Sequence, residues 1–275
     1  MRAEVESGEA LWRALLEHAR REAQGRAWMQ AVPDAPDVAG APDDRPLLAG
    51  VRFVVDAQAL ERWTMRLLRA AGVMPADGLD HVRWLAAAVN EDALELDAVA
   101  EGAGLGGPLV RGLAPILALP LLQACGRAWG PRAPAGWDRG WCPLCAAWPA
   151  LAEERGLDAG RHLRCLRCGA DWPTLVLRCP YCETTGPERL GALVPEAPGD
   201  GRTRRIETCA VCRGYLKVIT RLTAASPVDV AFLDLETVEL DAAALERGYR
   251  RPLAPAAALG AHVAARRGWL VWQGR

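Results

Sequence analysis

Four Cys-x-x-Cys pairs constrain this chain more than any other feature: Cys142-Pro143-Leu144-Cys145, Cys165-Leu166-Arg167-Cys168, Cys179-Pro180-Tyr181-Cys182 and Cys209-Ala210-Val211-Cys212. Two thiolates three positions apart on a tight turn grip one ion together, and two such turns supply a tetrahedral set of four sulfurs. Zn²⁺ and a single rubredoxin-type iron both take that set. Pro143 and Pro180 fix φ inside their turns and stiffen them. Backbone N–H groups around such a turn can point at the sulfurs and stabilise their charge.

Spacing indicates which pairs cooperate. Nineteen residues separate Cys145 from Cys165 and 26 separate Cys182 from Cys209. The second interval is long because Pro195-Glu196-Ala197-Pro198-Gly199-Asp200-Gly201 reads as an extended hairpin tip. Pairing the inner two turns would join sites ten residues apart and leave the outer two to close a loop of 63. Loop-closure cost therefore favours sequential pairing. The ninth cysteine, Cys125, stands in an apolar run and reads as a small core hydrophobe. Disulfide frameworks belong mostly to short secreted chains, so metal is the better default for the other eight. Two ions, iron or zinc, are expected.

Charge narrows the partners. The net charge of −1 gives no whole-protein field for nucleic acid or an anionic membrane. Residues 138–225 hold 13 Arg and Lys against 10 Asp and Glu. Two four-thiolate divalent sites, each carrying −2, bring that region near −1, a poor footprint for nucleic acid. The acidic N-terminus has no apolar signal core. The longest apolar run, about 15 residues from Gly112 to Gly126, is broken by Pro115 and Pro120 and reads as too short and kinked to insert in a membrane. A cytoplasmic protein is expected.

Before the cysteines the pattern is helical. Leu11, Leu15, Ala19 and Ala23 recur at helical spacing within a helix read over 9–30. Residues 31–50 read as a loop. Asp56 caps a helix carrying Leu60, Trp63, Leu67 and Ala71, and Asp80 caps another with Val82, Leu85, Ala86 and Val89 inward. A further helix runs from about Leu109 to Trp129, ended by Gly130 and Pro131, with a linker at Pro134-Ala135-Gly136. Among the cysteines, Leu175–Leu177 and Tyr215–Ile219 read as short strands. After Pro227, Ala231, Leu235, Val238, Ala242 and Leu245 share a helical face, and Gly248 is a stop. His262–Arg275 reads as one more helix.

The expectation is an α+β chain with a helical domain at 1–137, four-cysteine modules at 138–178 and 179–223, and a helical segment at 224–275. The modules read as rubredoxin-like or zinc-ribbon units. Ribbons are too small for an ordinary core, so Trp141, Trp148 and Trp172 are expected to pack over the sites in its place. His162 reads as a solvated loop residue, since four cysteines already fill each site. No Ser-His-Asp set, phosphate-binding Gly loop or convincing carboxylate pair is apparent, and no catalytic residue is assigned. A redox dithiol normally stands alone at a helix N-terminus near a βαβ pattern, a context missing here.

The residues around the turns resemble the formate dehydrogenase accessory protein family, FdhE. The resemblance is carried by Trp141 to Pro149, Arg161 to Trp172, Arg178 to Cys182, Glu207 to Lys217 and the stretch Asp234 to Arg251, and is specific from about 120 to 251. It implies a cytoplasmic assembly factor rather than an enzyme. Its client would be the catalytic subunit of respiratory formate dehydrogenase before twin-arginine export. The cysteine pairs would hold iron in rubredoxin-like fashion. The chain departs from the family in having Ala146 where Gly usually follows the first turn, Glu183 after the third, and Arg251-Pro252-Leu253-Ala254-Pro255 at the family's closing motif. Two other readings remain: a zinc-stabilised adaptor for another partner, and a rubredoxin-like redox protein.

Overall fold

The computed structural model describes residues 2–34, 44–74, 78–134, 136–195, 204–252 and 254–266. The fold is α+β. The chain separates into two compact units, one of Met1–Ala35, Leu48–Ala128 and Gly260–Arg275, the other of Pro36–Leu47 and Trp129–Leu259.

The first unit is helical. The N-terminal helix is divided: α1 (Arg2–Ala23) and α2 (Arg26–Ala31) meet at Gly25, which caps α2 in an extended conformation. Leu15, Ala19 and Ala23 are buried as the spacing requires, whereas Leu11 is exposed. Strand β1 (Arg52–Asp56) buries Phe53 and Val55 on one face by simple alternation. Asp56 then caps α3 (Ala57–Ala70) by accepting from the Ala59 amide at 2.8 Å, and Asp80 caps α4 (His81–Asn90) by accepting from the Arg83 amide at 2.9 Å. In α4 the inward face centres on Trp84, Leu85 and Ala88; Val82 and Ala86 are only half-buried. Asp92 caps a further helix, α5 (Ala93–Gly102), which the residue pattern did not anticipate.

The apolar stretch forms one helix, α6 (Gly107–Trp129), continuous through Pro115 and Pro120. Over Gly107–Arg132 it has the length and composition to cross a bilayer, so the expectation that it is too short does not hold. Yet 72% of its apolar window is buried, and the Trp63 indole of α3 donates to the Leu117 carbonyl at 3.1 Å. It is a core helix, and Cys125 is buried in it.

His262–Arg266, read as helical, is strand β8, parallel to β1 and in register from Arg52↔His262 to Asp56↔Arg266. Residues 267–275 of that expected helix lie outside the described residues. Asn90 sets the strand's start: its side-chain amide donates to the Ala261 carbonyl and accepts from the Ala261 amide, both at 2.9 Å. This side chain satisfies backbone groups as a neighbouring strand would.

The second unit is built on a six-stranded sheet of order β4-β3-β2-β7-β6-β5, from β2 (Leu151–Arg155), β3 (Gly160–Arg164), β4 (Asp171–Pro173), β5 (Leu190–Leu193), β6 (Arg204–Cys209) and β7 (Tyr215–Arg221). All pairings are antiparallel except the central β2–β7 pair. The order reveals a tandem arrangement. Each half runs Cys-x-x-Cys turn, strand, strand, turn, strand. The first strand of the first half lies parallel to the last strand of the second. Leu175–Leu177, read as a strand, is instead exposed turn. The hairpin tip expected at 195–201 lies outside the described residues beyond Pro195.

One face of the sheet is closed by α7 (Val230–Leu235) and α8 (Val238–Glu246). Val230 packs with Leu151 and Ile219; Leu240 and Ala244 pack with Ile206 and Tyr215. The expected apolar face is displaced, since Val238 and Leu245 are exposed. Gly248, at φ 75°, ends α8 as anticipated. A buried ion pair helps hold the approach to α7: Arg164 donates to Glu153 at 2.6 Å, and the two side chains take the Ala225 carbonyl and amide at 3.0 and 3.1 Å.

Candidate metal centres

All four turns share one backbone design. The first cysteine's amide donates to the carbonyl five residues on, at 2.9–3.0 Å, in Cys142→Ala147, Cys165→Ala170, Cys179→Thr184 and Cys209→Gly214. The residue after each second cysteine turns left-handed: Ala146 (φ 56°), Gly169 (φ 74°), Glu183 (φ 60°) and Arg213 (φ 58°). Only one of the four is glycine, the residue that takes this conformation without strain. The turns at 165–168 and 209–212 are the tips of the β3–β4 and β6–β7 hairpins; the other two precede β2 and β5.

The sheet brings these turns together in sequence order. Cys142, Cys145, Cys165 and Cys168 form one cluster and Cys179, Cys182, Cys209 and Cys212 the other, with the sulfurs of each within 4.8 Å of one another. Across turns, Cys142–Cys168 and Cys145–Cys165 lie 3.4 and 3.5 Å apart, and Cys179–Cys212 and Cys182–Cys209 each 3.7 Å. A disulfide needs about 2.05 Å. Sulfurs about 2.3 Å from a central zinc stand about 3.8 Å apart at the corners of a tetrahedron. The donor set and its edges fit a four-sulfur ion in each cluster, so the chain has two Cys₄ sites suited to two metal ions.

Electrostatics agree. In the first cluster burial pushes the Cys142 and Cys168 thiols well up. Burial also opposes charge on Cys165, but hydrogen bonds from Cys142, Cys145 and Cys168 hold it well below the ordinary thiol range. In the second cluster burial pushes Cys179 up, and raises Cys212 to about 11 despite a hydrogen bond from the Gly214 amide. Cys182, against some burial, is drawn down to about 7 by the Thr184 hydroxyl at 3.2 Å, the Thr184 amide and its thiol neighbours. Four sulfurs crowded with so little countercharge are a ready set for a cation that displaces their protons.

The aromatic cover is present. The Trp172 indole is buried and donates to the Arg139 carbonyl at 3.1 Å; Trp141 meets Trp137 edge-on at 4.6 Å; Trp148 meets Tyr181 at 5.4 Å. Gly140 must be glycine, since a Cβ there would lie 1.8 Å from the Pro180 carbonyl oxygen. The loop before the first turn thus packs directly on the third. His162 is on β3 rather than in a loop, and its Nδ1 lies 2.5 Å from Asp171. Burial opposes charge on Asp171, but Arg155 and His162 hold it below the usual carboxylate range.

One cluster of side chains beside the second site was missed. Lys217 is fully buried between Asp234 (2.7 Å) and Asp241 (2.8 Å), and Arg251 pairs with both carboxylates. Tyr215 donates to Asp241 at 2.8 Å, and Tyr181, inside the third turn, donates to the Tyr215 carbonyl at 2.8 Å. Burial works against charge on Asp234, yet Arg251 and Lys217 keep it below its ordinary range. The signal was the chain's only lysine, set in the apolar strand Tyr215-Leu216-Lys217-Val218-Ile219: a lysine there has to find carboxylates.

Comparison with known proteins supplies relatives. An FdhE homologue from Proteus mirabilis is 33% identical over 119 residues, one from Pseudomonas aeruginosa 32% over 116, and FdhE from Escherichia coli O127:H6 30% over 122. Over the stretch that aligns, the chain is similar to FdhE proteins. These alignments take in 40–44% of this chain and only 37–38% of each relative. A crystal structure of the FdhE protein from Pseudomonas aeruginosa superposes with a TM-score of 0.47 at 23% identity, covering 91% of this chain and 96% of that one. No family model matches the chain.

Proposed function

We propose that the chain is a cytoplasmic, non-catalytic assembly factor for respiratory formate dehydrogenase, recognising the enzyme's catalytic subunit before export. The eight cysteines would hold two ions, iron or zinc, one per cluster. The supporting observation is the convergence of four FdhE-like turns into two four-sulfur sites on one sheet. Among the described residues, these two clusters are where potential metal-ligating side chains gather. Bound metal would crosslink turns that carry little core of their own, and the module would offer the client a rigid face. The near-neutral balance of the cysteine-bearing region favours a protein client over nucleic acid.

The test is a pull-down of a formate dehydrogenase catalytic subunit by the full chain, with metal measured on the same sample. Co-purification that is lost when the metal is stripped supports the reading. Absence of binding by metal-loaded protein, with formate dehydrogenase activity unchanged in a deletion strain, contradicts it.

A further inference from the structure

The two clusters share their turn geometry and differ in their access to solvent. In the first, Cys142, Cys145, Cys165 and Cys168 are all 1% exposed or less. Three segments close over it: the Leu47 amide donates to the Pro143 carbonyl at 2.9 Å, the Ala256 amide to the Ala146 carbonyl at 3.3 Å, and Pro227 lies so close that a Cβ on Gly169 would be 2.3 Å from it. In the second, Cys179 and Cys209 are buried but Cys182 and Cys212 are exposed. Their neighbours Glu183, Ala210, Val211 and Arg213 are exposed too.

We propose that the second cluster is an exchangeable metal site, loaded and emptied through Cys182 and Cys212, while the first retains its ion. The inference rests on the metal-binding reading above. Ligand exchange at a four-coordinate ion begins with an incoming donor that briefly expands the coordination. At the second cluster such a donor reaches the ion past Cys182 and Cys212. Each metal–sulfur bond that breaks is replaced by a bond to the incoming ligand, the freed thiolate takes a proton from solvent, and the ion's charge is unchanged. At the first cluster the same attack requires the covering segments to open first, a local unfolding with its own free-energy cost. The ligand class served by the open site is a soft or borderline divalent cation delivered or accepted by a chelating donor.

The probe is zinc-loaded full-length protein mixed with excess 4-(2-pyridylazo)resorcinol. Zinc release is followed by absorbance, and cysteine alkylation by iodoacetamide is read by mass spectrometry along the same time course. One equivalent is expected to leave at least tenfold faster than the other, with Cys179, Cys182, Cys209 and Cys212 alkylated in the fast phase. Release of both ions at one rate, or earlier alkylation of Cys142, Cys145, Cys165 and Cys168, overturns the inference. The ion count at the start separates it from the reading beneath: two ions leaving together contradict exchangeability alone, no ion contradicts both, and a single ion held by the second cluster contradicts exchangeability.

Discussion

The first cysteine cluster is buried throughout and the second has two of its four cysteines exposed, although the four turns that build them share the same hydrogen bond from the first cysteine. Strand β5, paired to the turn at Cys209 through Leu190, is an edge strand, and among the described residues Cys182 and Cys212 stay exposed. The first site is capped by segments carrying Leu47, Ala256 and Pro227. The difference teaches that local sequence sets the coordination chemistry while the placement of distant segments sets its accessibility. The second site is supported on its inner side by a charged cluster, Lys217 with Asp234, Asp241 and Arg251, linked to the third turn through Tyr215 and Tyr181.

The largest contrast should come from single ligand changes. Metal binding to zinc-finger peptides is worth about 10–16 kcal/mol apparent. Cys165→Ser is expected to lose the enclosed ion and expose β2–β4 to hydrogen exchange. Cys182→Ser should weaken the second ion and leave β2–β4 protected. Equal exchange profiles for the two variants would erase the distinction between the sites.

Lys217→Met comes next. Removing one partner of a buried ion pair costs about 3–5 kcal/mol because the remaining charges stay buried. Denaturant unfolding of the metal-loaded variant should show that loss, with proteolytic cleavage appearing first around α7 and α8. A change under about 1 kcal/mol would show that the cluster does not brace the second site.

Gly140→Ala crosses the comparison. The residue precedes Cys142 in sequence, yet its new methyl would strike the Pro180 carbonyl of the third turn. Overpacking of this kind costs about 1–3 kcal/mol. Elemental analysis is expected to show a shortfall of the second ion; loss of the first ion alone would mean that the contact does not matter.

The smallest effect is expected at Glu183, held at φ 60°. Glu183→Gly should gain about 1 kcal/mol by relieving left-handed strain. It gives up half-exposed pairs with Arg139 and Arg178, which are worth about 0–1 kcal/mol. A small net rise in thermal midpoint, confined to the second half-sheet, is the outcome to look for; a drop would show that the ion pairs dominate.

Much of this was readable in the residues for identifiable reasons. Cys-x-x-Cys spacing is a local, near-binary signal, so the turns and their sequential partnering were visible. So were the caps at Asp56 and Asp80 and the stop at Gly248, because each depends on one side chain and its immediate backbone. What escaped depended on distant partners. Strand β8 exists because β1 offers it an edge 210 positions upstream, as in the Arg52↔His262 pair. Leu175–Leu177 has strand-like composition but finds no strand partner. The helical faces of α4 and α8 rotated by a residue or two because packing against neighbours, rather than the spacing of apolar residues alone, selects the buried stripe. Burial of the first site against exposure of the second is likewise a property of the segments that close over it.

The central claim, two separate four-sulfur metal centres formed by sequential pairs, is tested most directly by metal stoichiometry. Protein purified without added metal is compared with the Cys142→Ser/Cys145→Ser and Cys179→Ser/Cys182→Ser double variants, with folding of each checked by circular dichroism. Two ions in the parent and one in each variant are expected, iron and zinc counted together. One ion or none in the folded parent, or loss of both ions from either folded double variant, would contradict two independent centres.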